Sequence, residues 1–388
     1  MDTATLVKEL VEARGASGYE TEVREVVRKR FGELAHEVRV DAMGNLIALR
    51  RGEGASGDRP SVMLAAHMDE IALMVTQVDK GFLQVTQIGG FDPRVLFGQE
   101  VVVHGSRELP GLVVSVPPHF TDAAEREKPV PLEKLFIDVG LPPDFVAATV
   151  RVGDIVTMRG RYTQLSAGYA AGKSMDDRAA VAAIALCMEE LARRRHSWNV
   201  FAVATVQEEV SMAGSVAGTY GIDPTIAVVV DVTFGMQPGL SPNETVKMDG
   251  GPSIAMGPNF HPVLREKLTA AAAALEIPHQ MEVIAGTSGT DAWAIQVSRS
   301  GVPCGLLGIP LRSMHTPVET VFLRDIERTA KLLAEFIARL APGFEDSLVS
   351  RDALAPRDTG PSHAGPSAGD APSRTAQPPR NAQGRKGA

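Results

Sequence analysis

Five short segments combine acids and imidazoles in a way that suits a two-metal hydrolase: Ala66-His67-Met68-Asp69, Met175-Asp176-Asp177-Arg178, Gln207-Glu208-Glu209, Val230-Asp231-Val232 and Met314-His315-Thr316. His67 and Asp69 stand two apart on an expected strand, so their side chains share a face; Asp69 can orient His67 or bind metal beside it. Glu208 and Glu209 follow an apolar strand, where adjacent acids are costly unless solvated, paired or metal-bound. Such a pair can divide its labour, one acid moving a proton while the other holds metal. Asp176 and Asp177 open a helix, and spacing alone favours a plain reading there: an N-cap followed by an Asp177–Arg178 surface patch. A carboxylate bridging two ions is the sharper reading. Asp231 ends an apolar run and is harder to place on the surface, whereas a structural role is the alternative for His315.

Each segment lies at or beyond an apolar run that reads as a strand, or opens a helix, which is where open α/β sheets place their chemistry. Helical periodicity covers 5–13 and 20–34, and strands are expected at 37–40, 45–50 and 61–67. The pattern then changes to short β-like runs broken by Gly and Pro, at 72–78, 82–88, 100–104, 111–116 and 154–158. This predicts a small β-domain over 71–163, inserted into an α/β host that spans 1–70 and 164–342. The host resumes with helices expected at 177–194, 215–220, 262–275, 291–300 and 323–340, and strands at 199–206, 225–232 and 302–309. Residues 343–388 form a tail rich in Pro, Gly, Ser, Ala and Arg, with no aromatic residue after Phe344; it is expected to be disordered for want of apolar surface to bury.

The 388 residues, 44% hydrophobic, suffice for a substantial core, and a net charge of −8 leaves no basic footprint for nucleic acid. The longest apolar run, 179–188, is half of the ~20 residues a membrane helix needs, and the N-terminus lacks a signal-peptide pattern. No membrane partner and a cytoplasmic location are therefore expected. Cys187 and Cys304 are too few for a disulfide framework or a thiolate zinc site and read as buried fillers. His36, His104, His119, His196, His261, His279 and His363 lack a comparable carboxylate setting and read as surface or structural. The stretch 168–174 resembles a phosphate loop but has three residues between its glycines where four are needed. Residues 286–290 miss the nucleophile-elbow pattern, and no His-Glu-x-x-His helix occurs.

Taken together with Gly90-Phe91-Asp92-Pro93-Arg94-Val95, Leu135-Phe136-Ile137-Asp138-Val139-Gly140, Ser288-Gly289-Thr290-Asp291 and Ile309-Pro310-Leu311-Arg312, the ordered segments resemble the glutamyl and tetrahedral aminopeptidase family of dinuclear metallopeptidases. The likeness covers roughly residues 5 to 340. It implies a phosphorylase-like α/β/α sandwich with an inserted β-domain. It also implies that His67, Asp176 and Asp231 bind one divalent ion and Asp176, Glu209 and His315 a second, with zinc or cobalt as occupant. Glu208 then matches the general acid/base, Asp69 the acid that supports His67, and the Asp176–Asp177 bond a cis peptide. Substrates would be peptides with a free N-terminus, Thr290 and Asp291 would lie near them, and assembly would run from a homodimer to a tetrahedral dodecamer. Residues 210–214, Val-Ser-Met-Ala-Gly, depart from the family pattern and leave the shape of that loop open. A metal-dependent amidase, deacylase or glycan hydrolase, and a non-catalytic metal-stabilised scaffold, are the alternatives carried forward.

Overall fold

The computed structural model describes residues 1–53 and 59–348. The rest of the tail, with His363, lies outside the described residues. In chain order the strands are β1 (Glu37–Val40), β2 (Leu46–Arg50), β3 (Ser61–His67), β4 (Ala72–Asp79), β5 (Phe82–Ile88), β6 (Glu100–His104), β7 (Glu108–Ser115), β8 (Leu135–Asp138) and β9 (Ile155–Met158). They continue with β10 (Thr163–Gln164), β11 (Tyr169–Gly172), β12 (Asn199–Thr205), β13 (Ile226–Phe234), β14 (Ser253–Met256), β15 (Gln280–Val283), β16 (Cys304–Arg312) and β17 (Glu319–Phe322). The helices are α1 (Thr3–Glu12), α2 (Thr21–Gly32), α3 (Ala123–Arg126), α4 (Pro143–Thr149), α5 (Met175–Leu191), α6 (Glu208–Ser211), α7 (Ala213–Ile222), α8 (Pro262–Ala274), α9 (Asp291–Ile295) and α10 (Leu323–Ala338).

The large sheet runs β1-β2-β12-β3-β13-β16-β17-β11-β10, with β14 and β15 branching from β16. Its central strands β12, β3, β13 and β16 are parallel. Central parallel strands are covered on both faces and so read as continuous apolar runs; β3, Ser-Val-Met-Leu-Ala-Ala-His, is buried throughout. One face carries α1, α5, α8 and α10 over Val62, Leu64, Val228 and Val230. The other carries α7 and α9 over Met63, Ala65, Ala227 and Val229. The result is an α/β/α sandwich. From Ala179 to Met188 helix α5 is apolar all round because the sheet lies on one side and α1 and α10 on the other.

Between β3 and β10 the chain closes a six-stranded barrel, β4-β5-β8-β7-β6-β9. In β6 the burial alternates, and Val101 and Val103 point inward onto Leu73, Val113, Ile137 and Val156. The mixed α/β class with an inserted β-unit thus agrees with the sequence reading. The strands not expected from the sequence, β8, β10, β11, β14, β15 and β17, have two to four residues each, which leaves little periodicity to read. The helix expected over 291–300 stops at Ile295, where Arg299 and Gly301 turn the chain through positive φ. Beyond residue 342, Phe344–Leu348 form a 3-10 turn, and the Phe344 ring lies 5.9 Å from Trp198.

Arg178 corrects the surface-patch reading, for it is fully buried. Its guanidinium donates to the carbonyls of Leu10 (2.8 Å), Ala13 and Met68 (3.1 Å) and lies 3.3 Å from Glu70. Lys173 donates to the same carboxylate at 2.5 Å. This cluster ties the N-terminal segment to the end of β3 and the start of α5, and so underlies the site. Burial alone would raise the Glu70 carboxyl, but Lys173 and Arg178, with hydrogen bonds from Lys173 and Ser174, hold it at about 2. Burial brings Lys173 down to about 8, which leaves the permanently charged Arg178 as the firmer partner.

A depressed carboxyl contributes stability that is complete above its unfolded pKa and lost as pH falls toward its folded one. Glu70→Gln should therefore lower unfolding free energy at pH 7 by about 3 to 5 kcal/mol, because two buried cations lose their anion. In thermal or urea melts the gap to wild type should be full between about pH 4.5 and 7 and narrow as pH falls toward 2. A gap independent of pH would assign its cost to packing instead.

Candidate active site

The acids and imidazoles converge at the carboxyl edge of the parallel strands. His67 is the last residue of β3, and Thr205, paired with it in register, is the last of β12. Gln207 then takes a left-handed backbone (φ 58°) that turns the chain into α6 and presents Glu208 and Glu209. Asn45, fully buried, clasps this turn: its amide oxygen accepts from Val206 N at 3.1 Å, and its nitrogen donates to Gly214 O at 2.8 Å and Asp41 at 2.6 Å. A side chain at Gly214 would stand 2.3 Å from Val206 O and 2.5 Å from Asn45 Oδ1, so the clasp requires glycine there. The departing segment 210–214 therefore closes tightly behind the acids. Asp231 lies on β13, and His315 on the loop between β16 and β17.

Asp176 stands between the two imidazoles. Its Oδ1 is 3.1 Å from His67 Nε2 and its Oδ2 is 3.3 Å from His315 Nε2. Glu209 approaches His315 Nε2 at 3.5 Å, and Glu208 lies 3.9 Å from His67 Nε2. Ligand atoms of His67, Asp176 and Glu209 fall within 4.8 Å of one another, as do those of His67, Asp177 and Asp231. Asp177 is an addition to the expected set: it is fully buried, and neither carboxyl oxygen has a hydrogen-bond partner among the described residues. Its peptide bond with Asp176 is cis.

Asp69 lies between His67 and the two glutamates. Its Oδ1 is 3.5 Å from His67 Nδ1, and its two oxygens accept from the backbone N–H of Glu208 (3.0 Å) and Glu209 (3.2 Å). One buried carboxylate thus holds the backbone of both acids, while the Asp69 carbonyl oxygen stands 3.3 Å from His67 Nδ1. Glu319, which had no sequence signal, accepts from the backbone N–H of Asp176 (3.0 Å) and His315 (2.7 Å) and pins them together. Thr290 and Asp291, expected near a substrate, do not line the cleft. Both are buried; Asp291 accepts from Thr205 Oγ1 at 2.5 Å, while Ser288 and Gly289 face the opening. The cleft itself, about 580 Å³, contains His67, Asp176, Glu208, Glu209, Asp231 and His315.

Too many acids share too little solvent here. Burial, with neighbouring carboxylates adding to it, pushes Glu208 up to about 10 and Glu209 up to about 8, and raises Asp177, Asp231 and Glu319 well above the usual carboxylate range. Asp176 moves the other way: hydrogen bonds and charge from His315 and His67 outweigh burial and hold it low. Its hydrogen bond in turn raises His315 to about 9. A surplus of buried negative charge, with unpartnered oxygens on Asp177 and on Glu208 as well, is what divalent cations would offset. The donor set of imidazole and carboxylate fits such ions.

Comparison with known proteins agrees. Residues 44–332 match the family model for M42 glutamyl aminopeptidases. The chain is similar to the lysyl aminopeptidase of Pyrococcus furiosus, with 35% identity over 87% of this chain and 97% of the relative. Among solved structures it resembles the aminopeptidase APDkam598 of Desulfurococcus kamchatkensis, with 34% identity and a TM-score of 0.83 over 90% of this chain and 98% of that one. It also resembles the TET1 peptidase of Pyrococcus horikoshii, which can assemble into a tetrahedron or a large octahedral shell; identity is 29% and the TM-score 0.77, over 87% of this chain and 100% of that one. No helix among the described residues is long and apolar enough to cross a membrane. With acids and imidazoles gathered at one sheet edge and a match spanning most of the chain, the protein belongs to the M42 glutamyl aminopeptidase family and is a metal-dependent aminopeptidase.

Proposed function

We propose that His67, Asp176 and Asp231 hold one divalent ion and Asp176, Glu209 and His315 a second, zinc or cobalt, and that Glu208 is the general acid/base for removal of N-terminal residues from peptides. The observation that carries this reading is Asp176, whose two oxygens face the two imidazoles at 3.1 and 3.3 Å, as a bridging carboxylate requires. The ions, when bound, would acidify water and polarise the scissile carbonyl. Glu208 takes a proton from the attacking water and returns it to the leaving amine. Asp69 fixes the backbone from which Glu208 projects, and Glu319 fixes Asp176 against His315. The excess of carboxylates draws the free α-ammonium of a peptide to the same place.

The family model is named for glutamate and a relative for lysine, so family membership leaves the preferred first residue open. Homo-oligomeric assembly, from dimer to dodecamer, belongs to the same reading. Phe97, Leu112, Val116 and Phe120, in and around the barrel, are each 47% or more exposed, which suits contact with further copies. Light scattering that found monomer alone would contradict it. The catalytic proposal is tested by metal-restored cleavage of peptides with free but not acetylated N-termini.

A further inference from the structure

Next to the acids and imidazoles, the cleft continues along the sheet to a carboxylate that no step above uses. Asp231 and Thr233 are two apart on β13 and share a face. Gly308 pairs with Asp231, and Ser253 pairs with Gly308. Gln280 pairs with Ser253, which puts Glu282, two residues on, on that face as well. Glu282 is anchored by two hydroxyls: Thr233 Oγ1 donates to one oxygen at 2.6 Å and Ser253 Oγ to the other at 2.5 Å. Gly308 keeps the floor between them open, since a Cβ there would stand 2.4 Å from Ser253 Oγ and 2.8 Å from the Thr233 methyl carbon.

We infer that Glu282 determines specificity by receiving the cationic side chain of an N-terminal lysine or arginine, an inference that rests on the aminopeptidase reading above. Glu282 lines the cleft, and no Lys or Arg among the described residues does. Ile284 and Leu306 line the same cleft and would cover the methylenes of a long side chain whose head reaches the carboxylate. Thr233 lies two strand steps beyond Asp231, roughly 7 Å, a span suited to an extended lysine or arginine side chain rather than to an α-amine held at the metal site. An acidic first residue would bring its carboxylate against that of Glu282 and be repelled.

The test is kcat/KM of the metal-loaded enzyme on Lys-, Arg-, Leu- and Glu-Ala-Ala peptides, for wild type and Glu282→Gln. Wild type should favour Lys and Arg over Leu, with Glu weakest. The substitution should lower the Lys-to-Leu ratio about 10- to 100-fold, the scale of a hydrogen bond to a charged group. A wild-type preference for Leu or Glu would overturn the inference and leave the aminopeptidase reading standing. A ratio unchanged in the variant would reduce Glu282 to a structural residue and overturn it too. No cleavage of any free peptide by wild type would overturn both.

Discussion

Glu208→Gln should lower kcat by about 10²- to 10⁴-fold, the contribution typical of a general acid/base, while KM and bound metal change little. The amide has nearly the carboxyl's shape but cannot accept the proton of an attacking water. Its backbone stays fixed by Asp69, whose oxygen accepts from Glu208 N at 3.0 Å. Glu208 is 3.9 Å from His67 Nε2, near enough to share the reaction space. A variant that retained full peptide hydrolysis with both ions bound would show that another group moves the proton.

Asp176→Asn should have the second large effect, for a different reason. Its carboxylate lies 3.1 Å from one imidazole and 3.3 Å from the other, so an amide there weakens both proposed ion sites together. The expected result is loss of metal from both sites by elemental analysis, with activity reduced beyond the roughly 10- to 100-fold cost of losing an outer partner of a metal ligand. Asp177 supplies the discriminating control. It shares a potential ligand group with His67 and Asp231, so loss of metal in Asp177→Asn with retention in Asp176→Asn would reverse the bridging assignment.

The sequence made some of this arrangement legible and hid the rest for physical reasons. His67 and Asp231 stood out because each ends or interrupts an apolar run, and buried parallel strands are the most continuous apolar signal a chain carries. The barrel strands were visible as short β-like runs broken by Gly and Pro, of which β6 alternates between inside and outside. Asp177 and Arg178 were misplaced because an acid-rich helix start looks the same whether it meets solvent or packed sheet. Arg178 is buried only because the carbonyls of Leu10, Ala13 and Met68 arrive from other elements. Glu319 gave no signal, since it acts from a four-residue strand through two backbone N–H groups. Glu282 was equally silent: its partners Thr233 and Ser253 lie 49 and 29 residues away, and only sheet register brings the three together.

The central claim is that this site removes residues from free peptide N-termini with divalent metal. It is tested most directly with matched X-Ala-Ala peptides, free or acetylated, offered to metal-stripped protein with and without zinc or cobalt. The account predicts no cleavage by the stripped protein and restored cleavage of the free peptides alone. Cleavage that survives metal removal, or that proceeds as well on the acetylated peptides, would contradict it.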